Sequence, residues 1–135
     1  MPNSHPDTIN NFFDAYGRRD IEGIRQVMHD NVQWIFPGHH PLSGTKSGID
    51  EVISFFDAMG KIMGESNIKI EKIITGANDE YVIECQHMWT SRRDGNNLDH
   101  HWCVLWTFKD GKISEGRHFA SDQHLADSFF CKVYK

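Results

Sequence analysis

The sequence predicts an α+β domain in which helices cover one face of a curved, mixed but mainly antiparallel sheet around an apolar pocket. Three observations carry this. Apolar residues recur with helical spacing up to about residue 63. The period changes to two between residues 68 and 121. Two Asp-Gly pairs, Asp94-Gly95 and Asp110-Gly111, stand where hairpins would turn.

The elements follow in order. Ser4-His5-Pro6-Asp7 has the form of a capping box, and Ile9, Phe12, Phe13 and Tyr16 then make one apolar helix face. Asp20 can cap a second short helix with Ile21, Ile24, Val27 and Met28 inward. Residues 31–36 alternate as a strand, with Val32, Trp34 and Phe36 on one side. Residues 37–48 read as a Gly, Pro and Ser-rich loop. Ser47-Gly48-Ile49-Asp50 is a second capping box, before a helix with Ile49, Val52, Ile53, Phe56, Met59 and Met63 on one stripe. Strands are expected at 68–74, 81–92, 97–109 and 112–121, and a short closing helix carries Leu125, Ala126 and Phe129.

Composition narrows the function class. The 135 residues fit one domain, 1–135, which buries roughly two-thirds of its unfolded surface. Apolar residues at 39% and charged residues at 24% mark a globular chain. A net charge of -5, with no Lys/Arg run longer than two, argues against nucleic acid, because phosphate binding needs a clustered positive patch. No secretory leader is expected from the polar opening Met1-Pro2-Asn3-Ser4, and no stretch approaches the ~18 apolar residues of a membrane span, so a cytoplasmic protein is expected. Cys85, Cys103 and Cys131 are odd in number and lack metal-ligand spacing, as in a protein with reduced thiols.

Two-residue turns at both Asp-Gly pairs would fix the register. Trp89 would face His100, His87 would face Trp102 and Cys85 would face Val104; Trp106 would face Glu115 and Trp102 would face Phe119. The helix-facing side would then hold Cys85, His87, Trp89, His100, Trp102, Val104, Trp106, Glu115, Arg117 and Phe119. Cys85 and Cys103 would lie on opposite faces, unable to form a disulfide. The outer face, with Gln86, His101, Cys103 and Leu105, would be left for a homodimer contact. A bulge in either hairpin would invert part of this assignment.

On that register His87, His100, Glu115 and Arg117 stand in an aromatic wall. Such convergent polar groups suit a ligand pocket. Alternatively, Glu115 and Arg117 lie in water at the open end and the histidines bond backbone carbonyls. The four tryptophans are either core or the lining of a cavity for a flat organic ligand. His100 and His101 point to opposite faces and cannot share an ion, and neither they nor His39-His40 have a third ligand at zinc-like spacing, so no metal is expected. No Gly-x-Ser-x-Gly elbow is present.

Several segments resemble a known family. They are Arg19-Asp20-Ile21-Glu22-Gly23-Ile24, Trp34-Ile35-Phe36-Pro37-Gly38, Pro41-Leu42-Ser43-Gly44, Phe108-Lys109-Asp110-Gly111-Lys112-Ile113 and Phe119-Ala120-Ser121-Asp122-Gln123. In order and spacing they resemble the SnoaL-like subgroup of the NTF2-like superfamily. The resemblance implies a cone-shaped, cystatin-like α+β barrel with a pocket between helices and sheet, dimerised through the sheet. The superfamily spans ketosteroid isomerases, polyketide cyclases, epoxide hydrolases, dehydratases and non-catalytic binders. Ketosteroid isomerase groups are missing here: Phe12 and Phe36 stand at two of their positions, and Trp102 or Val104 at the third. The acid/base aspartate of polyketide cyclases is matched by Asp122.

The resulting expectation is proton chemistry on a carbonyl-bearing hydrophobic molecule, without a cofactor. Asp122 would move the proton, His87 or His100 would assist and Arg117 would orient an oxyanion. Trp34, Phe36, Trp89, His100, Trp102, Trp106 and Phe119 would line the site. Two alternatives stay open: a non-catalytic binder of a planar ligand or a dimerisation module, and Asp122 as the cap of the last helix.

Overall fold

Ser4 starts the first helix as its capping box predicts. Its Oγ accepts the Asp7 N–H at 3.3 Å, and its carbonyl accepts the Thr8 N–H at 3.0 Å. The computed structural model describes residues 4–64 and 69–133, without the side chains of residues 63 and 64. The expected inward Met63 and the strand start at Ile68 therefore fall outside the described part.

Helix α1 (His5–Gly17) buries Ile9, Phe12 and Ala15. Arg19, at φ 58°, reverses the chain, and Asp20 Oδ1 accepts the Gly23 N–H at 3.0 Å to open α2 (Ile21–Val27). Strand β1 (Met28–Phe36) turns Val32, Trp34 and Phe36 inward. The following segment is not loop throughout. Gly44, at φ 114°, starts β2 (Gly44–Ser47), which returns antiparallel along β1 and gives that strand's outer edge a partner. Helix α3 (Ile49–Gly64) begins with the Glu51 carboxylate accepting the Ser47 N–H at 3.0 Å. The reciprocal contact thus ends at Glu51 rather than Asp50.

The sheet is completed by β3 (Lys69–Ala77), β4 (Tyr81–Trp89), β5 (Asp99–Lys109) and β6 (Lys112–Ala120). The order is β2-β1-β6-β5-β4-β3, parallel only between β1 and β6, and not closed into a ring. Helices α1 and α3 set Phe12 and Phe56 against Trp106 and Trp34 on the inner face. Helix α4 (Gln123–Val133) adds Ala126, Phe129 and Phe130 to the core.

The two hairpins differ. At Asp110-Gly111 both residues have positive φ (54° and 78°), the type I′ turn expected, and Lys109 pairs with Lys112. A bulge then intervenes: Phe108 pairs with Ile113 but Thr107 pairs with Glu115. At Asp94-Gly95 only Gly95 has positive φ. The Gly95 N–H bonds Arg92 C=O at 3.2 Å, while the Asp94 carboxylate takes the Arg92 guanidinium and the Asn96 N–H, each at 2.9 Å. This wider turn moves the ladder by one residue. Cys85 faces Cys103, His87 faces His101 and Trp89 faces Asp99.

The shift corrects the face assignment. Strand β5 turns His100, Trp102, Val104, Trp106 and Phe108 inward as expected. On β4 the inward residues are Val82, Glu84, Gln86 and Met88, and beyond the bulge on β6 they are Gly116 and His118. Cys85, His87, Trp89, Glu115, Arg117 and Phe119 therefore lie outside. This outer face exposes Ile74 (62%), Phe119 (48%) and Ile83 (40%). It is the face that the sequence reading leaves for a second copy, although Gln86, assigned to it, points inward.

Gly116 carries a packing constraint. The Trp34 benzo ring lies directly over it, in the space a Cβ would fill. Trp34 is buried against Trp106, Phe55 and Phe56 and has no free direction to move. Gly116→Ala should therefore lower stability by about 2 kcal/mol in denaturant titration, an overpacking effect. Gly17→Ala, at a position with nothing within 4 Å, should change it by less than about 0.5 kcal/mol.

Candidate functional site

An apolar cavity of about 330 Å³ lies between the helices and the sheet. Ile9, Asn10 and Phe13 of α1 and Phe55, Phe56 and Met59 of α3 form one side. Trp34, Trp102, Val104, Trp106 and His118 form the sheet wall, and Ile70, Lys72, Glu84 and Gln86 complete it on β3 and β4.

Glu84 and Gln86 of the wall are held in fixed partnerships. Glu84 is buried; its Oε1 accepts Trp106 Nε1–H at 2.8 Å and its Oε2 faces Lys72 Nζ at 3.0 Å. Burying a carboxylate is costly unless it is hydrogen-bonded or paired, and here it is both. The Lys72 side chain is 56% exposed, so the pair runs from the buried wall to solvent. Gln86 Oε1 accepts Trp102 Nε1–H at 2.7 Å. Two indole N–H groups thus orient a carboxylate and an amide along one wall.

Of the residues expected to line the site, Trp34, Trp102 and Trp106 do so. Phe36 is buried beyond the cavity, against His118, Phe55 and Phe130. His100 is buried on the inner face beside Trp102. Trp89 and Phe119 are on the outer face, because the ladder shift and the bulge reverse their strands there. The same two events remove His87 and Arg117 from the pocket. His87 Nε2 meets Asp99 Oδ1 at 2.6 Å and its ring stacks on His101, while Arg117 Nε lies 3.8 Å from Glu115 Oε2. Asp122 takes the capping alternative: it is exposed, and its Oδ1 accepts the Leu125 N–H at 3.0 Å. Asn10, Lys72, Glu84, Gln86 and His118 are the polar lining residues that the sequence reading missed. Gly116 was the available signal, since a glycine inside a strand marks a bulge or a close approach.

Neither histidine pair forms a chelate. His40 Nδ1 accepts the Leu42 N–H at 3.2 Å, and among the described residues no group of three His, Cys, Asp or Glu could hold a metal ion.

His118 sits among aromatic rings, 4.9 Å from Phe36 and Trp102 and 5.5 Å from Trp34, centroid to centroid. Neither ring nitrogen has a partner among the described residues. Burial, and secondarily the charge of His100, hold its pKa down at about 3 from the ordinary 6.5. Burial also lowers His40 and His100. The unfolded chain therefore takes up a proton near pH 6.5 that folded His118 refuses until about pH 3. This contribution is complete above pH 6.5 and is lost progressively as pH falls. At pH 5 His118 alone should cost about 2 kcal/mol of stability. Denaturant titrations from pH 7 to pH 5 should show a slope reduced by about one proton in His118→Leu.

Comparison with known proteins agrees with this architecture. The SnoaL-like domain matches residues 9–116. An uncharacterized protein of Mycobacterium tuberculosis is 27% identical over 125 residues, which are 92% of this chain and 94% of that protein. A Xanthomonas campestris protein of unknown function with a cystatin-like fold superposes with a TM-score of 0.74 at 24% identity, over 95% of this chain and 98% of its own. A putative SnoaL-like polyketide cyclase from Jannaschia sp. CCS1 superposes with a TM-score of 0.70 at 18% identity, over 97% and 93% of the two chains. The chain belongs to the SnoaL-like domain family.

Proposed function

We propose that the protein is an enzyme of the cyclase or isomerase type that binds a flat, hydrophobic, carbonyl-bearing organic molecule in this cavity and moves a proton on it. The single observation that carries the reading is Glu84, a buried carboxylate set beside the aromatic rings of the cavity wall. The likeness to a putative polyketide cyclase supports the same class. Trp34, Trp102 and Trp106 offer faces for a planar ring system. Glu84 takes the proton from a carbon next to the carbonyl, and the Trp106 bond keeps its carboxylate oriented. Lys72 at the mouth neutralises the developing enolate oxygen.

A second reading, a binder without catalysis, is favoured by one feature: both Glu84 oxygens already have partners. Proton exchange separates the two readings. Ligands are first chosen from flat aromatic ketones by quenching of tryptophan fluorescence. A bound ketone is then incubated in D2O and its α-proton followed by NMR. Exchange should be catalysed by the wild type and fall roughly 10²–10⁴-fold in Glu84→Gln, which keeps the shape and the acceptor for Trp106 but is a far weaker base. Ligand binding with no catalysed exchange, or exchange at the full rate in Glu84→Gln, would contradict the proposal.

A further inference from the structure

We propose that Cys85 and Cys103 form a redox modification site, a cross-strand disulfide made and broken by exchange with a small disulfide of the glutathione class. The two residues face each other across the β4–β5 ladder, both half-buried, with Sγ atoms 3.0 Å apart. That distance suits two thiols poised to bond. It is too short to hold a metal between them, since tetrahedral thiolate ligands stand ~3.8 Å apart at Zn–S bonds of ~2.3 Å.

The backbone permits the bond. Hydrogen bonds near the two ends of the ladder, Phe108 N–H to Glu80 C=O at 2.7 Å and Thr90 N–H to Leu98 C=O at 3.0 Å, fix its parity. No bulge interrupts the pairing between them. Even-numbered pairs on β4 therefore exchange backbone bonds, and Cys85–Cys103 falls on a non-hydrogen-bonded site. Side chains approach most closely at such sites, with Cα atoms ~4.5 Å apart, inside the ~4.4–6.8 Å range of disulfides. The third cysteine stands apart from this pair: Cys131 is exposed on α4, with its Sγ 3.6 Å from the His39 carbonyl.

Burial, then the neighbouring Cys85 thiol, push Cys103 up to about 11. Exchange begins at either thiol and gives the same product; with Cys85 attacking first, its sulfur carries the mixed disulfide. Its thiolate attacks one sulfur of oxidised glutathione, forming a mixed disulfide and releasing one glutathione thiolate, which takes up a proton. Cys103 then loses its proton and attacks the Cys85 sulfur, releasing the second glutathione. The two protein thiols lose two electrons, and one glutathione disulfide becomes two thiols. The bond lies directly behind the pocket wall, since Glu84 precedes Cys85 and Trp102 and Val104 flank Cys103.

The test is intact mass spectrometry of the native full chain equilibrated with oxidised glutathione, then with dithiothreitol. With the exposed Cys131 removed, Cys131→Ser should lose about 2 Da without retaining glutathione, regain it on reduction, and yield a linked Cys85–Cys103 peptide. Cys103→Ser in the same Cys131→Ser background should instead keep one glutathione on Cys85. A Cys131→Ser chain that stays at its reduced mass, accumulates a stable mixed disulfide, or links to a second chain would overturn the proposal.

Discussion

The hydrogen bond from Trp106 Nε1 to Glu84 at 2.8 Å is the contact on which the inner face depends. It joins two groups that would each be costly to bury alone, an indole N–H and a carboxylate. It also acts as a register lock. Trp106 pairs with Val82 and Glu84 with Val104, so the two partners sit diagonally on one face. A slip of one residue would send Glu84 to solvent and leave the buried Trp106 N–H without its acceptor. Gln86 and Trp102, directly opposite each other on the same face, make a second bond of an indole N–H to a side-chain oxygen. Polar satisfaction thus adds to apolar burial in choosing which face of β4 is inside.

A second constraint comes from size. Trp34 reaches across β6 because Gly116 leaves the space, and Gly116 faces inward because of the bulge just before it. Trp34 then meets Trp106 at 4.9 Å and His118 at 5.5 Å, edge to face, which suits the charge distribution of aromatic rings. Turn, bulge and glycine together shape one side of the cavity. The cavity is therefore a consequence of backbone irregularities as much as of the side chains lining it.

The sequence made the elements and the overall architecture legible because those signals are local. Caps at Ser4 and Asp20, the stripe on α3 and the alternation on β5 each depend on neighbours a few residues away. What it did not show was which side of β4 and β6 faces inward. That depends on whether the turn after β4 has two residues or more, and on one extra residue at Ser114. Asp94-Gly95 has the composition of a tight turn, but the Arg92 side chain holds Asp94 in a wider one. Reversing β4 and the end of β6 exchanged His87, Arg117, Trp89 and Phe119 for Glu84, Gln86 and His118. The tryptophans expected in the pocket on β1 and β5 lie on strands whose faces were assigned correctly, and they line the cavity.

Everything inside the cavity follows from the β4–β5 register, so the most direct measurement is of that register in solution. At a non-hydrogen-bonded antiparallel site the two α-protons face each other closely and give a strong nuclear Overhauser effect. The structure requires one between the α-protons of Cys85 and Cys103, with further ones at Ile83–Leu105 and His87–His101. Strong effects joining Cys85 to Val104 and His87 to Trp102 instead would place Glu84 on the outside and contradict the account.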